Sequence, residues 1–555
     1  MKFYEEFFEN VTSGISIEDI FKLRRDLSKK YKLKELPSLI KLFSKANQEQ
    51  RNKLKHIKLK PTRSISGVSP IAVMTKPIPC PKQAQCIYCP GGVGSFFGDV
   101  PQSYTGNEPA SMRAKRNEYD AYLQIFNRLE HYILLNHDIG KCEVIVMGGT
   151  FTNFNKKYRD EFITDVYAAF NDFSKLFFDS NCEVDFKKFY DFFELKSEFK
   201  NEKRIENVKD KIKVLKKKFD LEEEKKKNES SNVRCIGLTI ETRPDCCSID
   251  QCNELLRYGT TRVELGVQSV YDDVLKRVKR GHLTKESIDS IKRLKNLGFK
   301  INVHYMLGLP GTSKEMDIKG LNKLFEDEDY RPDMLKIYPC LVMPGTQLYE
   351  DYLKNKYKPL ELEDAADIIS EFKRNIPKYV RIMRVQRDIS KGIKAGVDKT
   401  NLRQYVDQYL IKKNIKCSCI RCREIRDKEI KNPELKIIEY SASKGKEFFI
   451  SIEDGNYLIG FCRLRIISEN LREEFIDRSA IVRELHVYGS SIKLGGKGKV
   501  QHKGFGQMLM KKAEEICIKN NIKKLLVISG IGVKNYYCDK LNYKKDGVYV
   551  SKLLN

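Results

Sequence analysis

Three cysteines fall within ten residues, in Cys80-Pro-Lys-Gln-Ala-Gln-Cys86-Ile-Tyr-Cys89-Pro-Gly-Gly. Three thiolates can hold three irons of a four-iron four-sulfur (4Fe-4S) cluster and leave the fourth iron open. An open iron can bind the amino and carboxylate groups of S-adenosylmethionine (SAM) and cleave it reductively to a radical. The same residues also read as a zinc site short of a ligand, or as three buried free thiols. Zinc loops usually carry two C-x2-C pairs or a nearby His pair, and neither lies close by. Radical enzymes usually space these cysteines C-x3-C-x2-C, so the longer first gap here is a departure.

A second cluster, Cys417-Ser-Cys419-Ile-Arg-Cys422, suits a structural Zn2+ whose fourth ligand the sequence does not identify. The alternative is a set of reduced surface thiols, which is disfavoured because exposed free cysteines are a liability. Four short motifs, Met147-Gly148-Gly149-Thr150, Glu241-Thr-Arg-Pro-Asp245, Gly266-Val-Gln268-Ser269 and Gly308-Leu-Pro-Gly311, follow apolar runs. Glycines let the backbone approach a ligand, and Glu241 and Gln268 can hydrogen-bond to one. Gly148, Gly149, Glu241 and Gln268 are therefore candidate SAM contacts; the plain alternative is that these motifs only turn strand into helix. Farther on, Gln501-His-Lys-Gly504-Phe-Gly506 precedes a helical pattern from near Gln507. Backbone N–H groups at such a helix start bind a pyrophosphate.

Residues 21–60 carry 14 Lys/Arg against 3 Asp/Glu, among them Arg24, Arg25, Lys29, Lys30 and Lys32. Apolar residues at helical spacing between them predict two basic amphipathic helices, which read as an RNA phosphate-binding surface or as a solvated helix face.

The elements that must position these groups exceed one core. At 555 residues the chain calls for roughly two to four domains. Apolar runs at Glu143–Met147, Cys235–Ile240, Arg262–Gly266, Lys300–Tyr305 and Met334–Tyr338 alternate with amphipathic stretches. That rhythm predicts an α/β fold with a parallel sheet, a full or partial β/α barrel whose strand C-termini carry the motifs above. Residues 171–232 break the rhythm and read as an inserted helical hairpin with a mobile tip near 225–231. From 433 the runs shorten and alternate as antiparallel strands do, in the order of an acetyl-CoA-binding N-acetyltransferase (GNAT-type) α+β domain. The expected organisation is a basic helical region over 1–60, a barrel over 61–390, a cysteine-bearing linker over 391–432 and the GNAT-type domain over 433–555. No apolar run approaches the ~18 residues of a membrane span, and the acidic start is unlike a signal peptide. A soluble, cytoplasmic protein without a membrane partner is expected, its 16 cysteines reduced or metal-bound. The net charge of +27 makes nucleic acid the first partner to consider.

Nearly the whole chain resembles the catalytic subunits of Elongator, a family of tRNA uridine acetyltransferases that join a radical SAM domain to a GNAT-type domain. The resemblance rests on Cys86-Ile-Tyr-Cys-Pro-Gly-Gly92, Gln102-Ser-Tyr-Thr-Gly106, Val146-Met-Gly-Gly-Thr-Phe151, Ile240-Glu-Thr-Arg-Pro-Asp245, Leu265-Gly-Val-Gln-Ser-Val-Tyr271, Val385-Gln-Arg-Asp388, Val482-Arg-Glu-Leu-His-Val-Tyr-Gly489, Gln501–Gly506 and Asn535-Tyr-Tyr537. This family lengthens the first gap of its cluster motif, which accounts for C-x5-C. It implies ligation of the cluster by Cys80, Cys86 and Cys89. It also implies acetyl-CoA contacts from Glu484, Leu485, His486, Val487, Phe505, Gly506, Gln507 and Tyr537, and catalytic roles for Lys141 and Tyr537, Lys141 reaching the CoA from the barrel. The implied reaction starts with a 5′-deoxyadenosyl radical taking hydrogen from the acetyl methyl group. The carbon radical adds to C5 of the wobble uridine of tRNA, and thioester hydrolysis leaves a carboxymethyl group. An electron donor is required, and accessory Elongator-type subunits fit the same resemblance. On this reading the acetyl-CoA pocket is expected to open toward the barrel mouth with Lys141 beside it. A protein lysine acetyltransferase with a structural iron–sulfur domain is the rival, and a non-catalytic tRNA-binding scaffold a second.

Overall fold

The computed structural model describes residues 2–60, 64, 66–81, 84–195, 201–388, 392–398, 401–426, 428–489 and 504–554. Strand β1 (Ser69–Met74) starts the first sheet, and β2 (Gly92–Ser95) and β3 (Gly98–Val100) form a separate hairpin. The sheet continues through β4 (Lys141–Met147), β5 (Arg234–Thr242), β6 (Thr260–Gln268), β7 (Lys300–Leu307), β8 (Met334–Pro339) and β9 (Arg381–Arg384). Their order is β1-β4-β5-β6-β7-β8-β9 and every pairing is parallel. The sheet curls but does not close, so β1 and β9 are its free edges and the fold is a half-barrel. Crossover helices such as Ala121–Leu134, Ile249–Arg257 and Lys314–Glu326 cover its outside. Each begins where a side chain, from Asp120, Ser248 and Ser313 respectively, accepts the backbone N–H three residues on.

Parallel strands buried on both faces usually read as near-continuous apolar runs. These do not. Thr239 and Glu241 on β5, Arg262 and Glu264 on β6, Lys300, Asn302 and His304 on β7, and Lys336 and Tyr338 on β8 alternate with Leu, Ile and Val. The side-chain period of two sends the aliphatic set outward against the helices and the polar set into the lumen.

The N-terminal residues fold as four short helices, Lys2–Glu9, Ile17–Lys30, Leu39–Lys45 and Gln48–Leu54, so that residues 21–60 are shared among three rather than two. Phe3, Phe7, Phe8, Ile20, Leu27, Leu42 and Phe43 give them their own core, which joins the barrel through Leu135. The segment read as a hairpin contains the end of Lys156–Phe177 and the helices Phe186–Phe192, Glu202–Leu215 and Leu221–Asn228. Its expected mobile tip is packed: Asn228 is fully buried, and Lys225 Nζ donates to Arg257 O at 2.8 Å. A Lys-rich composition hid an anchored helix.

The second sheet comprises β10 (Glu434–Ala442), β11 (Gly445–Asp454), β12 (Tyr457–Ile466), β13 (Ser479–Val487), β14 (Lys524–Val527), β15 (Lys544–Asp546) and β16 (Tyr549–Leu553), in the order β10-β11-β12-β13-β14-β16-β15. All its pairings are antiparallel except β13 with β14. This sheet docks on the barrel rim formed by the strand N-termini. Gly530 and Gly532 pass so close to β5 that an added Cβ would sit 2.0 Å from Ile236 O and 2.5 Å from Arg234 Cβ. At the centre of the joint the Arg483 guanidinium grips Asp333, just before β8, with Nη1–Oδ2 at 2.7 Å and Nη2–Oδ1 at 2.5 Å. Arg483 Nη2 also donates to Glu447 Oε2 at 2.8 Å, and Lys295 Nζ lies 3.4 Å from Glu447 Oε1. Arg465 Nη2 donates to Asn296 Oδ1 at 2.7 Å. All of these side chains are fully buried.

A buried pair broken on one side strands the other charge. Asp333→Ala is therefore expected to cost about 3–5 kcal/mol, and Asp333→Asn, which keeps an acceptor for Ile301 N–H, less. Denaturant unfolding of the intact chain measures it. A loss below about 1 kcal/mol, as for a surface pair, would contradict this description of the joint.

Candidate active site

The strand C-termini open on a cavity of ≈ 620 Å³, lined by Cys80, Cys86 and Cys89 and by Gly149, Glu241 and Gln268. The three thiols feel one another. Burial first, then Cys89 and Cys86, push the Cys80 thiol up to about 12. Arg280 Nη1 donates to Cys86 Sγ at 3.5 Å while its Nη2 donates to Gly266 O at 2.5 Å. Among the described residues the three do not form a group compact enough to hold a single ion, whereas Cys417, Cys419 and Cys422 do. Wider spacing is what a cluster needs, because each thiolate binds its own iron. Gly149 runs at φ +106, and a Cβ there would meet Gln102 Oε1 at 2.9 Å, so only glycine keeps that wall of the cavity open. Gln268, also at positive φ, turns its side chain to the cavity with Oε1 unpartnered among the described residues. The structure thus brings the expected cluster and SAM residues around one cavity, with Gly148 adjoining it beside Thr75.

Sequence reasoning passed over the cavity floor. Glu264 Oε2 accepts from His304 Nε2 at 2.8 Å and from Lys336 Nζ, and Lys336 Nζ lies 3.6 Å from Glu241 Oε1. Against burial that would raise it, Lys336 and His304 hold the Glu264 carboxyl well below its ordinary range. Burial raises Glu241, with Lys336 opposing. Deeper, Arg262 Nη1 meets Glu143 at 2.7 Å. The signal that could have exposed these groups is polar alternation in strands that otherwise read as parallel and buried.

The expected acetyl-CoA residues gather at the other end of the barrel. β13 and β14 pair as far as Val482 and Val527, where β14 ends, and Arg483–Val487 continue beyond it. Gly506, at the start of helix Phe505–Lys519, comes next to both Leu485 and Tyr536: an added Cβ would lie 4.0 Å from Leu485 Cδ2 and 2.9 Å from the Tyr536 hydroxyl. Tyr537 is buried, which raises its hydroxyl pKa, and Gln507 is exposed at the helix start. The Glu484 carboxylate is committed to protein: it accepts from Arg463 Nε at 2.8 Å and lies 4.0 Å from Lys300 Nζ. His486 Nε2 contacts Ser66 O at 3.2 Å, and burial lowers its pKa. Gln501, His502 and Lys503 lie outside the described residues.

One expectation fails. These residues lie at the strand N-termini, not at the barrel mouth. Lys300 begins β7, Ser66 precedes β1, and Lys141 begins β4 opposite Arg234, which backs onto Gly532. Lys141 therefore lies on the side of the expected acetyl-CoA residues, at the opposite end of its strand from the cysteine cavity, and burial lowers its pKa. The strand-end motifs that mark the mouth carry no information about which rim a second domain covers.

Of the basic residues, Arg25, Lys29 and Lys32 are exposed, Lys30 pairs with Glu6 at 2.5 Å, and Arg24 donates to Pro37 O at 3.4 Å. The Cys417, Cys419 and Cys422 sulfurs lie within 4.8 Å of one another, and hydrogen bonding among them pushes the Cys417 thiol up and holds Cys419 down. Among the described residues no helix is long and apolar enough to cross a membrane.

The comparisons agree with this division. Residues 80–319 match the Radical SAM superfamily, 332–412 the Radical_SAM C-terminal domain, and 420–537 the Acetyltransferase (GNAT) family. The chain is 42% identical over 534 residues to the tRNA uridine(34) acetyltransferase of Methanocaldococcus infernus, covering 93% of this chain and 92% of that one. It is 38% identical over 568 residues to Elongator complex protein 3 of Saccharomyces cerevisiae, covering 99% and 94%. The solved structure of Methanocaldococcus infernus Elp3 with an N-terminal deletion matches with a TM-score of 0.71 at 36% identity, over 88% of this chain and 100% of that one.

Cys86→Ala and Cys89→Ala are each expected to abolish the brown iron–sulfur absorbance of anaerobically prepared protein. Cys419→Ser is expected to leave that absorbance and lower zinc in metal analysis. Full iron content in both cluster variants would overturn the cluster assignment, and unchanged zinc in Cys419→Ser would overturn the zinc site.

Proposed function

The chain belongs to the family of tRNA uridine(34) acetyltransferases and Elongator complex protein 3, and from that premise we propose that it converts the wobble uridine of tRNA to its C5-carboxymethyl derivative. The observation that carries the reading is the cavity lined by Cys80, Cys86 and Cys89 in one half of a chain whose other half gathers Leu485, Gly506 and Tyr536 at a helix start. A 4Fe-4S cluster on Cys80, Cys86 and Cys89, with SAM bound, would supply a 5′-deoxyadenosyl radical. Gly148, Gly149, Glu241 and Gln268 orient SAM over that end. Glu484 to Val487, Phe505 to Gln507 and Tyr537 hold acetyl-CoA at the other end, with Lys141 as a point charge for its anionic groups. Arg25, Lys29 and Lys32 offer exposed charge to tRNA phosphates. Zn2+ on Cys417, Cys419 and Cys422 fastens the segment between the two halves. An external electron donor is required, and accessory subunits of the Elongator type are compatible partners in a cytoplasmic setting.

A lysine acetyltransferase donates its acetyl carbonyl to an amine arriving from solvent. Transfer of the methyl carbon instead needs the radical that the cysteine-bearing half would supply. Nucleoside analysis of tRNA incubated with the protein, SAM, acetyl-CoA and a reductant decides between them. Carboxymethyluridine is expected only in the complete mixture. Acetylated protein lysines formed without SAM, with unchanged tRNA, would overturn the proposal.

A further inference from the structure

One charge beside the cysteine cavity lacks the counter-charge that burial demands. Arg280 lines the cavity and is 8% exposed. Among the described residues its guanidinium has two hydrogen-bond partners, Cys86 Sγ at 3.5 Å and Gly266 O at 2.5 Å, neither of them a carboxylate, and its Nε has none. Asp245, whose charge it feels, is held by Arg243 through Nε–Oδ1 and Nη2–Oδ2, both at 2.9 Å. A guanidinium keeps its charge at any ordinary pH, and a buried charge is normally paired. Neither a carbonyl nor a neutral thiol balances it. A thiolate at Cys86 would, and ligation of iron is what makes that sulfur a thiolate.

Local structure fixes the contact. Helix Asp272–Arg277 ends with Val278 N–H on Val274 O, and the chain then turns through Lys279 at φ 52 so that Arg280 N–H returns to Leu275 O at 2.9 Å. The carbonyls freed at this helix end take the cysteine loop. Ile87 N–H donates to Val278 O and Gln85 N–H to Lys279 O, both at 3.2 Å. These bonds flank Cys86, and the Ile87 side chain is buried with Val274 and Val278. On β6, Gly266 leaves room for the guanidinium, since a Cβ there would meet Arg280 Nη2 at 2.6 Å. Backbone bonds on both sides thus keep the charge against the sulfur.

We propose that Arg280 sets the reduction potential of the cluster on Cys80, Cys86 and Cys89, its charge and its hydrogen bond to the Cys86 sulfur favouring the reduced state; the assignment rests on the cluster proposed above. With three thiolates a four-iron cluster is anionic, and the electron arriving from the external donor makes it more so. A fixed cation in hydrogen-bond reach of one thiolate attracts the reduced form more strongly than the oxidised form, with little solvent to screen it. The N–H···S bond acts in the same sense by drawing charge off the sulfur. Arg280 is a positioning residue that acts on electron entry, so its effect is present before SAM is added.

The test uses the full-length protein with its cluster and without SAM. Redox titration follows the cluster absorbance and the electron paramagnetic resonance signal of the reduced state. Arg280→Met removes charge and donor, and Arg280→Gln removes the charge but keeps an N–H. In both, the equilibrium constant for reduction is expected to fall about tenfold, a potential lower by about 59 mV for one electron. Arg280→Lys, which keeps the charge, is expected to stay closer to wild type. Gly266→Ala retains Arg280 but crowds its guanidinium, and is expected to shift the potential the same way by less. Iron content and melting temperature check the fold of each variant. A fall of less than threefold in both Arg280→Met and Arg280→Gln would overturn the inference. Loss of iron from all four variants would also overturn it, by making Arg280 a support of the cysteine loop alone. Wild-type protein that holds no iron overturns the parent cluster assignment instead.

Discussion

The two-point grip of Arg483 on Asp333 sets the geometry on which everything else depends. The two residues are 150 positions apart and lie in different halves of the chain. Around them Glu447, Lys295, Arg463 and Arg465 form a network with no solvent to soften a misfit. In a low-dielectric interior each charge must be met in full or it costs several kcal/mol. Such a joint tolerates little sliding, and the end of β13 is held against the barrel at one angle. The Arg483-Glu484 step illustrates the division of labour: one side chain locks the domains, and the next, through Arg463 and Lys300, anchors the end of β13.

With the domains fixed in that way, the interior of the half-barrel lies between the cysteine cavity and the last residues of β13. A filled apolar core is the usual content of a β/α barrel. Here Glu264, His304, Lys336 and Arg262 replace it with charges that satisfy one another in part. The arrangement gives up some packing stability for a polar interior. Glycine at 530 and 532 brings the second domain right up to β5.

The sequence disclosed the parts of this design that repeat or cluster. The strands β4 to β8 were legible from the alternation of apolar runs with amphipathic helices, whereas the cysteine spacing left a cluster, a zinc site and free thiols open until the family resemblance accounted for its long first gap. The edge strands were not. β1 sits in a run rich in Pro, Ser and Thr, and β9 is four residues with two arginines, Arg381 and Arg384; both are fixed by a single neighbour rather than by propensity. The Arg483–Asp333 pair carries no local mark, because either residue alone reads as a surface charge. The rim on which the second domain sits is equally illegible, since it is decided by that pair.

The claim that the two halves share one reaction is tested most directly with acetyl-CoA whose methyl group carries deuterium. If the methyl carbon is activated by the radical, turnover with SAM, reductant and tRNA transfers deuterium into 5′-deoxyadenosine, detected by mass spectrometry. Unlabelled 5′-deoxyadenosine accompanying modified tRNA would contradict it and would return the two halves of the protein to separate tasks.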